Sequence, residues 1–278
     1  MPELPEVRAL AERVDATVAG WHLVEVKVPG FSGLKTVEPT PSSLVGAALL
    51  RVVSRGKYLL FDFGVHGRAM VHLGNSGRLD LEQPVKSTRR RGSLVRFEFE
   101  GVGVLVREYG TERRAGLWIL DAGDAGPLAA LGPEPFDEAF DELVLRGGDR
   151  RHLHTLLRDQ HTVAGIGRGY ADDVLHRAGL SPFAALSRLD VPARQGLLEA
   201  VRSVLDEALL RERRREGGLS DSSLGDRFTI HRRAGEACPR CGRRLERVSF
   251  ESNDIVYCPD CQTKGKVLAD RRLSRLLR

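Results

Sequence analysis

The stretches CPRC at 238–241 and CPDC at 258–261 are the most informative parts of this 278-residue sequence. Their four cysteines have the spacing C-x2-C-x16-C-x2-C, which is typical of a structural zinc site. The runs LERVSF and IVY between the two pairs predict two short strands. We therefore expect a zinc-bound β-hairpin that holds one Zn²⁺ through Cys238, Cys241, Cys258 and Cys261. Since the protein would supply all four ligands, this metal would be structural, and any catalysis would lie elsewhere.

Basic charge is concentrated around these cysteines. Residues 231–278 contain 12 basic and 6 acidic residues, whereas the rest of the chain contains 31 and 32. A basic module on a nearly neutral body indicates a polyanion partner, most simply nucleic acid. A solvated basic tail explains the charge equally well.

The composition is that of a globular protein, with 41% hydrophobic and 29% charged residues. No stretch approaches the roughly 18 apolar residues that a membrane span needs, and the N-terminus lacks the pattern of a secretory signal. We expect a cytoplasmic protein with no membrane partner. The length predicts two domains with room for a small third module.

Apolar periodicity divides the chain at a Gly-, Pro- and Asp-rich stretch, 121–138. Before it, helical spacing over 4–20 is followed by short runs with the period of β-strands, namely 22–28, 57–63, 68–73, 93–99 and 102–109. This half predicts a β-sandwich or barrel with a helix at its entry. After it come four helical segments, 137–145, 152–160, 169–180 and 193–215.

The N-terminus is a second candidate for chemistry. Once Met1 is removed, the chain would begin with the secondary amine of Pro2, followed by the carboxylate of Glu3. An α-amino group titrates near pH ~8, well below a lysine at ~10.4, so more of it is nucleophilic at neutral pH. Such an amine can attack a sugar carbon and form an iminium, with Glu3 as general acid and base. Taken alone, these two residues are explained better as the start of a helix.

Five motifs, in this order, resemble the bacterial formamidopyrimidine-DNA glycosylase / endonuclease VIII family of base-excision repair enzymes: PELPEV at 2–7, RGKYLLF at 55–61, HLGNSGRL at 72–79, AGIGRGYADDVL at 164–175 and YCPDCQ at 257–262. The resemblance implies an α+β multidomain fold. Its parts would be an N-terminal catalytic β-sandwich with a flanking helix over 1–132, a helix–two-turn–helix DNA-binding domain over 133–225, and a zinc-finger β-hairpin over 226–278. Damaged DNA would bind in the cleft between domains.

The resemblance also implies a bifunctional DNA glycosylase and abasic-site lyase that acts on damaged, mainly oxidised bases. Pro2 would attack C1′ of a nucleotide flipped out of the duplex, and Glu3 would assist by protonation. Elimination at the 3′ and then the 5′ phosphate would cut the strand. Lys57 aligns with a catalytic-site lysine that contacts the phosphate beside the lesion. The family implies a monomer that needs no organic cofactor.

Nine further residues align with positions that bind DNA or support the binding groups in this family: Glu6, His72, Asn75, Arg113, Arg114, His154, Arg168, Asp173 and Asn253. For His72 an alternative is a histidine packed within the sheet.

Several positions depart from the family pattern. Asn75 stands where purine-reading members have methionine, and Ala115 replaces a phenylalanine wedge. His154, Arg168 and Asn253 replace lysine, asparagine and arginine respectively. Without apolar fillers, flipping a stacked base is costly. Either another residue fills the gap, or the preferred substrate is already unstacked: a single strand, a bubble, an abasic site or a grossly distorted lesion. Ala115→Phe should then partly restore activity on stacked oxidised purines, unless neighbouring loops have closed over that space. Two alternative functions remain: a non-catalytic protein that binds DNA damage or unusual DNA structure, and a generic zinc-ribbon nucleic-acid binder.

Overall fold

The structure is a computed structural model that describes residues 1–29, 33–86, 91–109, 114–215, 227–250 and 253–269. The chain forms two compact units, Met1–Ala130 with Leu209–Ser222, and Leu131–Ala208 with Ser223–Arg278. Among the described residues, no helix combines the length and the apolar character needed to cross a membrane.

The first unit begins with helix α1 (Leu4–Val18). One face of α1 is apolar at helical spacing and is fully buried, with Val7, Leu10 and Val14 at most 2% exposed. Asp15 Oδ1 also accepts a 2.6 Å hydrogen bond from the backbone N–H of Val52. These contacts hold α1 against the neighbouring β-sheet.

Eight strands follow α1: β1 (Leu23–Lys27), β2 (Arg51–Arg55), β3 (Tyr58–Asp62), β4 (Arg68–His72), β5 (Gly77–Glu82), β6 (Ser93–Phe99), β7 (Gly103–Glu108) and β8 (Gly116–Leu120). They form two four-stranded antiparallel sheets, with the orders β1-β6-β7-β5 and β2-β3-β4-β8. The two sheets share one hydrophobic core, in which the rings of Phe61 and Phe97 stack with centroids 4.8 Å apart. The predicted β-sandwich with a flanking helix is confirmed.

The second unit contains the predicted helical segments as α2 (Glu138–Arg146), α3 (Leu153–Arg158), α4 (Arg168–Arg177) and α5 (Val191–Arg214). Tyr170 and Phe140 are among its fully buried side chains. Residues of α5 from Leu209 onward belong to the first unit.

The predicted zinc module is a hairpin of β9 (Glu246–Phe250) and β10 (Asn253–Tyr257), followed by the short helix α6 (Pro259–Thr263). Its register runs from Glu246 opposite Tyr257 to Phe250 opposite Asn253. The hairpin and helices α2–α4 lie in the same compact unit. The division into three domains at 132 and 225 stays a prediction.

Candidate functional site

The N-terminal end of the chain is held by a reciprocal capping box at the start of α1. Glu3 is the N-cap and Glu6 the third helical residue, and each side chain bonds the other's backbone N–H. The backbone N–H of Glu3 donates to Glu6 Oε2 at 2.7 Å. Both carboxyl groups are buried, Glu3 at 4% and Glu6 at 0% exposure. Pro2, which is also buried, is therefore covalently attached to a residue whose backbone and side chain are both fixed.

Lys57 lies in the two-residue turn between β2 and β3, where the sequence predicted the first residue of a strand. Gly56 precedes it with a φ of +56°, as hairpins with glycine at the first loop position require. The Lys57 side chain is only 6% exposed. The turn thus brings an ammonium group into a mostly buried position at the end of the sheet.

His72, the last residue of β4, lies beside Lys57. It is opposite Tyr58 in the sheet register, and the two rings are 4.9 Å apart. Burial, and then the positive charge of Lys57, lowers the pKa of His72 to about 4. The ring is therefore neutral at pH 7. Its Nδ1 accepts a hydrogen bond from the backbone N–H of Gly74 at 3.1 Å, so the ring hydrogen is on Nε2, which is the donor that remains.

The loops that carry Asn75 and Arg114 are in backbone contact. Gly74 has a φ of +59°, and a Cβ atom there would lie 2.7 Å from the backbone nitrogen of Ala115. Only glycine allows this approach. Asn75 and Arg114 are both exposed, so the structure brings these two predicted DNA-binding residues onto neighbouring loops.

Ala115 is 2% exposed and belongs to the sandwich core. A phenylalanine at this position would have to displace core side chains, which overpacks the interior. Because the space around Ala115 is closed, we expect Ala115→Phe to overpack the core and not to supply a wedge. Arg113 lies outside the described residues.

Glu108, at the end of β7, was not anticipated from the sequence. Its Oε1 accepts hydrogen bonds from the backbone N–H groups of Arg114 at 2.7 Å and Ala115 at 3.0 Å. The side chain is 7% exposed. A buried carboxylate thus fixes the chain that carries Arg114. The acidic residue shortly before the Arg-Arg pair was the available signal.

In the second unit, Arg168 is the first residue of α4, follows the N-cap Gly167 and is exposed. The loop that leads to it is held by Gln160, a residue that no sequence motif indicated. Its Nε2 donates to the carbonyl of Ile166 at 2.7 Å, and its Oε1 accepts from the N–H of Gly165 at 2.9 Å. This amide holds the glycine-rich loop in place behind Arg168.

His154 and Asp173 are buried, each at 2% exposure. His154 Nε2 lies 3.2 Å from Asp172 Oδ1, and the other oxygen of Asp172 lies 2.6 Å from His231 Nδ1. His154 therefore faces a carboxylate rather than solvent, and its role at a phosphate stays a prediction.

The carboxyl of Asp173 also faces inward. It accepts hydrogen bonds from the backbone N–H groups of Thr229 at 2.7 Å and Ile230 at 2.9 Å. Burial, the largest influence, raises the pKa of Asp173 to about 6. Asp173 thus ties α4 to the segment that precedes the zinc hairpin. Asn253 begins β10, opposite Phe250.

The four cysteines meet in one cluster, with all four Sγ atoms within 4.8 Å of one another. The Sγ atoms of Cys238 and Cys261 are 3.9 Å apart, and those of Cys241 and Cys258 are 3.5 Å apart. A tetrahedral zinc with Zn–S bonds of about 2.3 Å needs separations of roughly 3.8 Å. The donor set and its spacing therefore fit one structural Zn²⁺.

Three family models match successive parts of the chain. The formamidopyrimidine-DNA glycosylase N-terminal domain matches residues 1–118, the H2TH domain of the same enzymes matches 131–218, and a zinc finger found in FPG and IleRS matches 235–264. A formamidopyrimidine-DNA glycosylase of Methylococcus capsulatus is 34% identical over 278 residues, covering 94% of this chain and 100% of the relative. The chain belongs to the formamidopyrimidine-DNA glycosylase family. The resemblance inferred from five motifs is confirmed.

Other similar family members differ in how much of the chain they share. A formamidopyrimidine-DNA glycosylase-like protein of Mycobacterium tuberculosis is 41% identical over 158 residues, 56% of this chain and 99% of that protein. The structure of Thermus thermophilus MutM (FPG) superposes with a TM-score of 0.80 at 31% identity, covering 94% and 98% of the two chains. The Lactococcus lactis enzyme, bound to DNA with an abasic site, has a TM-score of 0.82 at 22% identity, covering 94% and 99%, which supports the fold alone.

Proposed function

We propose that this chain is a bifunctional DNA glycosylase and abasic-site lyase that excises damaged, mainly oxidised bases through an iminium on Pro2. The buried capping box of Glu3 and Glu6 carries this proposal. In a member of this family, it supports an amine nucleophile held next to a carboxyl group at the end of α1.

The reaction follows from these groups. The lone pair of the Pro2 nitrogen forms a bond to C1′ as the C1′–N bond to the damaged base breaks, and the base leaves with a proton that Glu3 helps to supply. The sugar ring opens to an iminium, which acidifies the hydrogen on C2′. Loss of that proton expels the 3′ phosphate, and a second elimination expels the 5′ phosphate. Hydrolysis of the iminium frees Pro2.

Phosphate binding is assigned to separate groups. The mostly buried Lys57 ammonium offers a charged donor, and the neighbouring neutral His72 offers its Nε2–H. Exposed Arg114 and Arg168 add guanidinium donors, which bind phosphate oxygens in pairs. Zn²⁺ on the four cysteines would stabilise the hairpin and take no part in the reaction. The partner is damaged DNA, and the chain acts as a monomer.

Borohydride trapping tests the nucleophile. Reduction of the iminium joins protein to DNA covalently, so the wild-type chain should be trapped on an oligonucleotide with an abasic site. Pro2→Gly should lose nearly all trapping and retain DNA affinity, because other residues bind the phosphates. Pro5→Gly, the same change at the second residue of α1, is the matched control and should still be trapped.

Two results would overturn the assignment of Pro2: trapping of Pro2→Gly at the wild-type rate, or an intact Met1 in the mass of a fully active protein. A retained Met1 would leave residue 2 in an amide with no nucleophilic amine.

A non-catalytic protein that binds damaged DNA is the second candidate. It is favoured by the exposed Asn75 and the buried Ala115, which leave no apolar wedge at these two positions. The same assay separates the two candidates, because a damage-binding protein would bind the abasic oligonucleotide and never be trapped on it.

A further inference from the structure

The second unit contains a cavity of about 490 Å³ that the proposed catalytic and metal groups do not use. Its lining includes Arg150, His152, Phe183, Ala185, Ser187 and Arg188. Its volume is within the roughly 300–1,000 Å³ of small-molecule sites. None of these residues was assigned a role from the sequence.

Backbone hydrogen bonds hold the two walls of this cavity together. The N–H of Leu153 donates to the carbonyl of Ala184 at 2.8 Å, and the N–H of Ser187 donates to the carbonyl of Asp149 at 2.8 Å. His152 and Ala185 form an antiparallel bridge between these bonds. Main-chain pairing between two segments therefore sets the backbone frame of the cavity.

Aromatic rings form one side of the cavity. The rings of His152 and Phe183 have centroids 5.0 Å apart, and Phe250 packs behind both, at 5.1 Å and 5.3 Å. His152 and Phe183 are only partly buried, so their surfaces remain accessible. Rings held in this way are suited to stack a planar group.

The lining also carries positive charge. Arg150 and Arg188 are exposed and make no ion pair with any residue in the part of the chain that the structure describes. The lining has no acidic residue. The two nearest acids in sequence are engaged elsewhere: Asp149 pairs with Arg151 at 2.6 Å, and Asp190 Oδ1 accepts the N–H of Ala193 at 2.9 Å. The two guanidinium groups thus remain available for an anion.

We propose that this cavity binds one unpaired nucleotide of single-stranded DNA. The base would stack on Phe183 and His152, and its phosphate would be bound by Arg150 and Arg188. Proteins that bind single strands combine these two elements, aromatic platforms and a basic track for the backbone. The proposal goes beyond the glycosylase and lyase reaction, since it assigns a second nucleotide site made of residues outside that chemistry.

The test measures binding of the full-length, zinc-loaded protein to a fluorescein-labelled oligothymidine of about 12 nucleotides, within the usual range of site sizes. Arg150→Ala combined with Arg188→Ala, and separately Phe183→Leu, should each weaken binding about tenfold. Arg146→Ala is the control for charge, because Arg146 is an exposed arginine of the same unit outside the lining. It should change affinity less than twofold. Circular dichroism and zinc content establish that each variant is folded.

Competition experiments identify which ligand the site recognises. Unlabelled thymidine monophosphate should displace the oligonucleotide at concentrations where inorganic phosphate does not. Equal competition by phosphate would mean that only an anion is bound, and it would overturn the proposal. Wild-type affinity in the arginine double variant would overturn it as well, even if Phe183→Leu disturbs packing against Phe250.

Trapping separates this proposal from the catalytic one. The cavity variants should be trapped on a duplex abasic site like the wild type, whereas Pro2→Gly should bind oligothymidine normally and fail to be trapped. Loss of the expected oligothymidine result would overturn only the cavity proposal, and loss of the expected trapping result would overturn only the catalytic proposal.

Discussion

Glu108 Oε1 accepts a hydrogen bond of 2.7 Å from the backbone N–H of Arg114. The bond joins the end of one strand to the loop before another, and it fixes the backbone of a residue expected to contact DNA. A charged acceptor on a backbone N–H is among the stronger hydrogen bonds in proteins. We therefore predict that Glu108 affects DNA binding through the position of Arg114 and not by contact of its own.

Glu108→Ala should lower the free energy of unfolding by about 1–3 kcal/mol, because two N–H groups lose their acceptor. It should also weaken DNA binding. Urea denaturation and a binding titration measure the two effects. Glu108→Gln keeps one acceptor oxygen and should be milder in both. Glu100→Ala, at an exposed acid in the same unit, should stay within about 0.5 kcal/mol. Unchanged stability of Glu108→Ala would show that the bond is dispensable.

The depressed pKa of His72 predicts a pH dependence of stability. An unfolded histidine titrates near pH ~6.5, whereas His72 titrates near 4 in the folded chain. Between these values the unfolded state takes up a proton that the folded state does not. The contribution of His72 to the free energy of unfolding is therefore complete above pH ~6.5. It is lost as the pH falls toward 4, by at most about 1.4 kcal/mol per pH unit.

Denaturation of the wild type and of His72→Gln from pH 7.5 to 4.5 measures this contribution, since glutamine can still accept the Gly74 N–H. The difference between the two curves should narrow as the pH falls. His22→Gln removes an imidazole whose side chain is 60% exposed and should leave the wild-type profile unchanged. Parallel curves for His72→Gln and the wild type would contradict the prediction.

Substrate preference should follow from Asn75 and Ala115. Flipping a base from intact duplex forfeits stacking of a few kcal/mol, and these residues are polar or buried. We expect single-turnover excision of one oxidised base to be at least tenfold faster in a bubble than in duplex. Equal rates in the two contexts would refute this.

Asn75→Met should reduce the difference between the excision rates in a bubble and in duplex. Asn75 is exposed on its loop, so a longer apolar side chain has room there. Ala115→Phe should instead destabilise the fold by about 1–3 kcal/mol through overpacking. A thermal denaturation series on both variants distinguishes gain of function from loss of folding.

Cys258→Ser should release the metal and disorder the hairpin, because ligation and folding are coupled in small zinc modules. DNA affinity should fall, and its salt dependence should become shallower as fewer phosphates are neutralised. Arg247→Ala, at an exposed position of β9, should retain one zinc per chain. Stoichiometric zinc with unchanged affinity in Cys258→Ser would contradict the assignment of this cysteine as a ligand.

The local periodicity of apolar residues was sufficient to predict most of the fold. The predicted entry helix, the β-sandwich, four helical segments and the zinc hairpin correspond to observed elements. The strands outside the predicted runs, β2, β5 and β8, all lie at sheet edges. In β2 and β5, which pair on one side only, charged residues such as Arg51 and Asp80 weaken the apolar alternation that identifies a strand. Strand β8 (GLWIL) has no charged residue, and this reason does not apply to it.

The sequence by itself identified the four cysteines that meet in one cluster, because metal-binding cysteines come in pairs with a spacing that is visible along the chain. It also determined the order of the family motifs and the unusual pair Pro2–Glu3. Only the tertiary structure decided what supports these groups. Asp172 bonds His231, 59 residues away. Burial, and then the charge of Lys57 across a strand pair, depresses the pKa of His72. Burial of Ala115 and His154 likewise depends on neighbours that are distant in sequence. Such contacts are set by how strands and helices pack, and no local spacing encodes them.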